Sequence, residues 1–206
     1  MNFTPHLEII RLHDQDFKLY VPSAKEVHDA YINKTIDFPF WAQVWPSSKA
    51  LAVFILDHPE TVKNKKVLEL GAGLGLPSLI AARWATSVVC SDHDASAIEF
   101  VDLSVQYHQL KNINTCLLDW AILPPGMETD VILLSDVNYD PNAFNSQQKF
   151  ILSFLKKNIS ILLSTPQRLM GKSFLLPLMN YCRHNEEVII QHGEKEVIIS
   201  VMVFKI

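Results

Sequence analysis

The sequence contains no long apolar run. Its longest uninterrupted stretch of apolar residues, ALAVFIL at 50–56, has seven residues, whereas a helix needs about 20 to cross a bilayer. The first residues, MNFTPHLEIIRLHDQDF, also lack the basic-then-apolar order of a secretory signal peptide. We therefore expect a cytoplasmic protein with no membrane partner.

Basic residues are neither numerous nor clustered. The 206 residues include 18 Lys and Arg against 22 Asp and Glu, which gives a net charge of −4, and no basic run exceeds two residues. Proteins that bind nucleic acid normally present a basic surface. We therefore expect no nucleic-acid partner.

Cysteine is also rare. The three cysteines are Cys90, Cys116 and Cys182; their number is odd, they are widely spaced, and most of their neighbours are apolar. This pattern indicates reduced thiols in the core and neither a disulfide framework nor a metal site. We therefore expect no bound metal.

What the sequence does contain is a regular alternation of elements. From residue 66 onward, short apolar runs alternate with amphipathic helical patterns, which is typical of an α/β fold with a mostly parallel sheet. The last two strand-like runs, at 186–191 and 196–206, are separated only by the turn HGEK and must pair antiparallel. We expect an N-terminal hairpin and extension at 1–45, in which the segment after the hairpin has a mixed pattern, followed by the main domain at 46–206. GKSFLLPLMNYC, at 171–182, predicts a helix with a kink or an early stop at Pro177.

Half of the six glycines lie within five positions, in the stretch KKVLELGAGLGLPS. Gly71, Gly73 and Gly75 follow a predicted strand, but a dinucleotide fingerprint, G-x-G-x-x-G, would need its third glycine one position after Gly75. The carboxylate of Glu69 would also repel a pyrophosphate. A ligand with an ammonium group and a ribose but no phosphate fits better, with Glu69 accepting a hydrogen bond from the amino group. S-adenosylmethionine has this chemistry.

Acidic residues stand at the ends of the predicted strands SVVCSD, TCLLDW and DVILLSD. In an open α/β sheet the ligand lies beyond these carboxyl ends. Asp92 stands 23 residues after Glu69 (92 − 69), close to the spacing of about 20 at which an acid binds ribose hydroxyls, and Asp94 is the alternative. Asp119 is placed to accept from the adenine amine, with Trp120 or a neighbouring Ile or Leu stacking on the ring.

These segments resemble the seven-β-strand (class I) methyltransferases. VLELGAGLGLPSL, SDHD and LLDW are similar to the branch that contains protein lysine methyltransferases. PFWAQVWPSSKALAVFILDHP is similar to the segment before its first strand, where a tryptophan matching Trp45 lies near the cofactor. LLSDVNYD resembles the D-x-x-Y signature of the branch, matched by Asp136 and Tyr139. The resemblance implies a Rossmann-like, doubly wound, seven-stranded sheet, with S-adenosylmethionine as methyl donor and S-adenosylhomocysteine as product.

The same resemblance implies that the enzyme methylates lysine side chains of a protein substrate, and it is most marked for enzymes that modify the electron-transfer flavoprotein β-subunit. STPQR at 164–168 departs from those enzymes, which carry an acidic residue, a proline and glycine before arginine. Asp136 is expected to orient the acceptor amine, or else to accept its proton. Tyr139 is expected to offer a ring wall or a cation–π contact, or else to anchor the loop. Two other functions stay open: small-molecule N- or O-methylation, and cofactor binding without turnover.

Overall fold

The computed structural model describes residues 3–119, 127–168 and 171–206. The strands in these ranges are β1 (Pro5–Leu12), β2 (Gln15–Pro22), β3 (Lys66–Leu70), β4 (Ser87–Asp92), β5 (Ile113–Leu117), β6 (Val131–Ser135), β7 (Ser160–Pro166), β8 (Cys182–His192) and β9 (Lys195–Phe204). The helices are α1 (Ala24–Ile32), α2 (Pro46–Asp57), α3 (Leu76–Ala81), α4 (Ala95–Tyr107), α5 (Phe144–Leu155) and α6 (Gly171–Leu175). None of these helices is long and apolar enough to cross a membrane.

Seven strands form one sheet in the order β5-β4-β3-β6-β7-β9-β8. The five strands from β5 to β7 run parallel, and β9 pairs antiparallel with both β7 and β8. Chain order reverses between β3 and β6, and ligands bind at such switch points in open α/β sheets. The predicted seven-stranded, mostly parallel sheet with a C-terminal antiparallel hairpin is confirmed.

The central strands are apolar because helices cover both of their faces. Successive side chains of a strand point to opposite faces, so Val131 and Leu133 of β6 enter the core shared with α2, α3 and α4. Ile132 and Leu134 enter the core shared with α5 and α6. All four side chains are fully buried, which places the carboxyl end of β6 firmly between the two cores.

The N-terminal hairpin, β1 and β2, forms a separate antiparallel sheet. Leu19 of β2 is fully buried, and the backbone N–H of Tyr20 donates to Oγ of Ser104 in α4 at 2.9 Å. The sequence pattern indicated no helix for 24–32, where the structure has α1; its apolar content is low and Val27 is the buried residue among those it contains. The division of the chain at residue 46 stays a prediction.

Two predicted element ends can be compared with the structure. The predicted strand TCLLDW is too long at its end, because β5 stops at Leu117, where its partner β4 also stops, at Asp92. Beyond that point β4 offers no residue for pairing. The predicted kink or stop at Pro177 is confirmed, since α6 ends at Leu175 and a 3₁₀ turn, Leu176–Tyr181, follows. Because proline has no backbone N–H, it cannot donate the hydrogen bond that would continue the helix.

Candidate functional site

A cavity of about 840 Å³ opens where β3, β4 and β6 end. This volume lies within the range of roughly 300–1,000 Å³ that is common for small-ligand sites. The described residues that line it are the loops at 71–74, 92–96 and 135–137, parts of the segment 36–48, and Phe3, Tyr139 and Arg168. The cavity therefore lies at the switch point of the sheet, and the segment before α2 closes one side of it.

Two of the three glycines of the predicted binding loop face the cavity. Gly71 and Gly73 line it. A Cβ on Gly73 would lie 3.3 Å from the carbonyl oxygen of Trp41 at a φ of +54°, so this position favours glycine. A Cβ on Gly75 would instead meet Sγ of Cys90 at 2.9 Å, and the φ of Gly75 is +71°. Gly75 does not line the cavity and packs against Cys90 of β4 and Val101 of α4, so its expected contact with the ligand stays a prediction.

Glu69 is fully buried beneath the glycine loop. Its Oε2 accepts a hydrogen bond from the backbone N–H of Ser78 in α3 at 2.9 Å, and its Oε1 has no partner among the described residues. Burial raises the pKa of this carboxyl to about 8, although hydrogen bonds from Ser78 oppose the rise. Glu69 does not line the cavity and its side chain turns towards α3, so the expected contact between Glu69 and the amino group of a ligand stays a prediction.

Asp92 and Asp94 both line the cavity. Asp92 is 4% exposed; its Oδ2 accepts from the N–H of Gly73 at 2.8 Å and its Oδ1 from the N–H of Asp94 at 3.0 Å. Asp94 caps α4 by accepting from the N–H of Ser96 at 2.8 Å. A carboxylate oxygen can accept more than one hydrogen bond, so either acid can also receive a ribose hydroxyl.

The predicted adenine contacts do not appear among the described walls of the cavity. Asp119 is exposed and lies two residues beyond the end of β5. Asp119 is absent from the described lining of the cavity, and its expected contact with the adenine amine stays a prediction. Trp120 lies outside the described residues.

Trp45 does line the cavity, at the residue that precedes α2. Its indole Nε1–H donates to the carbonyl oxygen of Phe40 at 2.6 Å. This bond folds the segment between the two residues into a closed turn against the cavity. The structure thus brings Trp45 to the site that the resemblance implies.

Asp136 also lines the cavity, and Arg168 holds it there. The guanidinium contacts both carboxylate oxygens, with Nη1 to Oδ1 at 2.6 Å and Nη2 to Oδ2 at 3.0 Å. The backbone N–H of Asp136 donates to the carbonyl oxygen of Ser164 in β7 at 2.9 Å, and its φ is +54°. Sequence analysis missed Arg168; its one signal was the unusual STPQR stretch.

Tyr139 belongs to a row of exposed aromatic rings. It stacks on Phe40 with ring centroids 4.9 Å apart; Phe40 lies 4.6 Å from Phe38, and Phe38 lies 5.4 Å from Tyr31. The four side chains are 42–49% exposed, and all except Tyr31 line the cavity. Partial burial raises the pKa of the Tyr139 phenol, and the nearby charge of Asp92 adds to the rise. We call these four residues the aromatic row.

The family comparison agrees with this geometry. Residues 31–181 match the lysine methyltransferase family. The chain belongs to this family. It is therefore an S-adenosylmethionine-dependent methyltransferase, and this cofactor is the one that the glycine loop predicts.

Curated relatives of this methyltransferase include enzymes named for two kinds of acceptor. The histone-arginine methyltransferase METTL23 of Homo sapiens is 29% identical over 147 residues, which cover 67% of this chain and 76% of that protein. The electron transfer flavoprotein beta subunit lysine methyltransferase of Danio rerio is 40% identical over 107 residues, which cover 50% of this chain and 40% of that protein. The chain therefore spans less than half the length of the second relative.

Solved structures share the fold of this methyltransferase. A putative methyltransferase in complex with SAH superposes with a TM-score of 0.67 at 12% identity, over 98% of this chain and 57% of that chain. At this identity the likeness shows the fold alone. It agrees with the strand order described above.

The described cavity of this methyltransferase fits S-adenosylmethionine, which carries a sulfonium and an ammonium group. The charged side chains that line it include four aspartates and one arginine: Asp37, Asp92, Asp94, Asp136 and Arg168. Gly71 and Gly73 let the backbone approach a bound chain closely, and Asp92 or Asp94 would hold the ribose. The four aspartates thus bring negative charge to the cavity, and Glu69 lies outside its lining. When bound, the cofactor supplies an electrophilic methyl group.

Proposed function

We propose that this methyltransferase transfers a methyl group from S-adenosylmethionine to the side-chain nitrogen of a lysine in a protein. The observation that carries the proposal is the position of the aromatic row, which meets the Asp136–Arg168 pair at the cavity. Aromatic faces attract cations and pack on aliphatic stems, which together describe a lysine side chain. Membership of the lysine methyltransferase family supports the same acceptor.

The extent of the aromatic row favours a macromolecule over a small molecule as substrate. Tyr31 contacts Phe38 but does not line the cavity, so the exposed apolar surface continues outside it. Neighbouring Ile32 is 60% exposed. A small acceptor would be covered by the cavity alone, whereas a protein acceptor would also cover such surroundings, and contiguous exposed apolar patches are typical of interaction sites.

The Asp136–Arg168 pair suits an acceptor that must lose a proton before it attacks. Deprotonating a lysine with a pKa of about 10.4 at pH 7 costs about 4.6 kcal/mol. An isolated carboxylate would hold the ammonium protonated, but the guanidinium of Arg168 compensates the charge of Asp136. The positive sulfonium of the cofactor further disfavours a second cation. We therefore assign Asp136 the role of orienting the amine while Arg168 limits its hold on the proton.

The remaining contribution of the chain is positioning. Methyl transfer needs the amine in line with the methyl–sulfur bond, and correct placement alone supplies a large part of a rate acceleration. Tyr139 and Phe40 form a stacked pair with an interplanar angle of 21°, which offers a flat wall along which an aliphatic stem can enter. Tyr139 would thus guide the stem, and Asp136 would meet its end.

The experiment that tests the proposal uses labelled S-adenosylmethionine and a cell lysate, followed by mass spectrometry of the labelled products. Label on lysine residues of a protein is the expected result, and it should be nearly absent with Asp136→Asn. Label on arginine, or only in small metabolites, would contradict the proposal. A protein that binds S-adenosylhomocysteine but labels nothing under any condition would instead favour a cofactor-binding partner without turnover.

A further inference from the structure

Three possible metal ligands meet at the end of α2 that is remote from the cavity. Nε2 of His58 lies 3.4 Å from Oε2 of Glu186, and Nε2 of His184 lies 2.9 Å from the same oxygen. One potential ligand atom from each of the three residues lies within 4.8 Å of the others. None of the three lines the cavity, and the proposed methyl transfer makes no use of them. We call them the His–Glu cluster.

The local fold brings these residues together on ordered elements. His58 directly follows α2, and its backbone N–H donates to the carbonyl oxygen of Phe54 at 2.8 Å. His184 and Glu186 are two residues apart in β8, so their side chains lie on the same face, next to a register shift that begins at Cys182. The ring of Phe54, which is 1% exposed, lies 4.7 Å from the ring of His58 and 5.6 Å from that of His184. A buried aromatic ring thus supports both imidazoles.

A fourth residue orients one of the imidazoles. Oε1 of Glu60 lies 3.4 Å from Nδ1 of His58, which leaves Nε2 of that ring directed at Glu186. Histidines that bind metals almost always donate their other ring N–H to a carboxylate or carbonyl, which fixes the tautomer. Glu60 supplies this arrangement before any metal binds.

The spacing matches a tetrahedral metal. Zn²⁺ binds histidine nitrogen and carboxylate oxygen at about 2.0–2.1 Å, so two ligands of a tetrahedral site lie roughly 3.3 Å apart by the same geometry. The observed separations of 3.4 and 2.9 Å are close to this value. The side chains of His58, His184 and Glu186 are 35%, 43% and 31% exposed, so water can complete the coordination.

We propose that the His–Glu cluster binds a divalent transition metal ion, with Zn²⁺ as the ion that its two imidazoles and one carboxylate fit best. The site joins the end of α2 to β8, the outermost strand of the C-terminal hairpin. The 12 residues of α2 span about 18 Å, and Trp45 and Ser48 at the other end line the cavity. The metal would therefore stabilise the packing of α2 and would take no part in methyl transfer.

The test is a zinc titration of the tag-free, chelator-treated chain in competition with a chromophoric chelator. We expect one Zn²⁺ per chain and a rise in Tm on the order of 5 °C at a hundredfold excess over Kd. His184→Ala should lower the zinc affinity by at least tenfold, Glu186→Gln should also lower it, and His184→Cys should retain binding because a thiolate is a zinc ligand.

The matched control is His13→Ala, because His13 is an exposed histidine whose Nε2 lies 3.1 Å from an oxygen of Asp57, at the same end of α2. This variant should bind zinc as the wild type does. Binding of S-adenosylhomocysteine should be unchanged in all variants, which shows that they are folded. The proposal is overturned if the wild type binds no zinc at micromolar concentrations, or if His184→Ala and Glu186→Gln leave the affinity unchanged.

Discussion

The two walls of the cavity are built in different ways. The cofactor wall, residues 71–74 and 92–96, is tied together by hydrogen bonds between its own groups, such as Asp92 with Gly73, above the buried Glu69. The acceptor wall consists of the aromatic row and the Asp136–Arg168 pair, and its rings are about half exposed. A wall that is ordered in advance suits a ligand that is the same in every turnover, and an exposed wall suits an acceptor that arrives on another molecule.

We expect the largest effect from a substitution of Glu69, which lies buried beneath the cofactor wall. The pKa of Glu69 is about 8, raised from 4.5 by burial. The folded state therefore holds this proton more tightly than the unfolded state does, and the stability that this provides is full below about pH 4.5 and is lost as the pH rises to about 8. Glu69→Gln should remove that loss, on the order of 5 kcal/mol in the free energy of unfolding. Urea unfolding at several pH values measures it.

The control for Glu69→Gln is the affinity for S-adenosylhomocysteine. Because this carboxyl does not line the cavity, the affinity should change by less than tenfold. A difference in stability between variant and wild type that is the same at pH 5 and pH 9 would refute the raised pKa.

Gly75 tests whether the cofactor wall depends on packing. A methyl group there would lie 2.9 Å from Sγ of Cys90 at a φ of +71°, so Gly75→Ala should lower the free energy of unfolding by about 3 kcal/mol from overpacking and backbone strain combined. Gly193→Ala is the matched control, since Gly193 has a φ of +62° with nothing within 4 Å; strain alone should cost about 1 kcal/mol. Urea unfolding measures both variants. If Gly75→Ala and Gly193→Ala lose the same free energy of unfolding, tight packing at Gly75 contributes nothing to the stability.

Asp136 tests the acceptor wall. Asp136→Asn keeps a residue that tolerates the positive φ but removes the charge, so turnover should fall about 10²-fold because the amine is no longer oriented. The affinity for S-adenosylhomocysteine should stay within a few-fold of wild type. Asp140→Asn is the control, because Asp140 is exposed and does not line the cavity, and its turnover should be near normal. If Asp136→Asn turned over at the wild-type rate, Asp136 would not orient the amine and its role would be structural only.

The smallest expected effect concerns which acid of the cofactor wall binds the ribose, Asp92 or Asp94. A charge-assisted hydrogen bond to a ribose hydroxyl contributes about 1.5–3 kcal/mol, so Asp92→Ala should weaken S-adenosylhomocysteine binding at least tenfold. Asp94→Ala should mainly cost about 1 kcal/mol of stability, because it removes the cap of α4. Calorimetry on both variants decides the assignment, and the larger affinity loss in Asp94→Ala would place the ribose there.

The sheet could be predicted from sequence because its signals are local. Each buried strand gives a continuous apolar run, and each helix repeats its apolar positions over a few turns. The short HGEK turn forces the last two strands to be antiparallel. The end of β5 was predicted three residues too late because it depends on where β4 stops pairing. Similarly, α1 was missed because Val27 is its one buried residue, and a single buried position produces no apolar periodicity in the sequence.

The site was only partly predictable, since a motif names residues but not the direction of their side chains. Gly71, Gly73, Asp92, Asp136 and Tyr139 do meet at the cavity. Other residues of the same motifs do not, and each departs for a packing reason. Glu69 turns towards α3, where it meets the N–H of Ser78, and Gly75 packs against Cys90.

By itself, the sequence determined the order of strands and helices from residue 66 onward, the glycine turn after β3, and the set of acids at the ends of the strands. The tertiary structure alone decided which distant residues meet. Arg168 pairs with Asp136 across 32 positions, Tyr139 stacks on Phe40 from another segment, and His184 comes within reach of His58. Periodic patterns record which face of an element is buried, whereas contacts between side chains on different loops depend on how all the elements pack together.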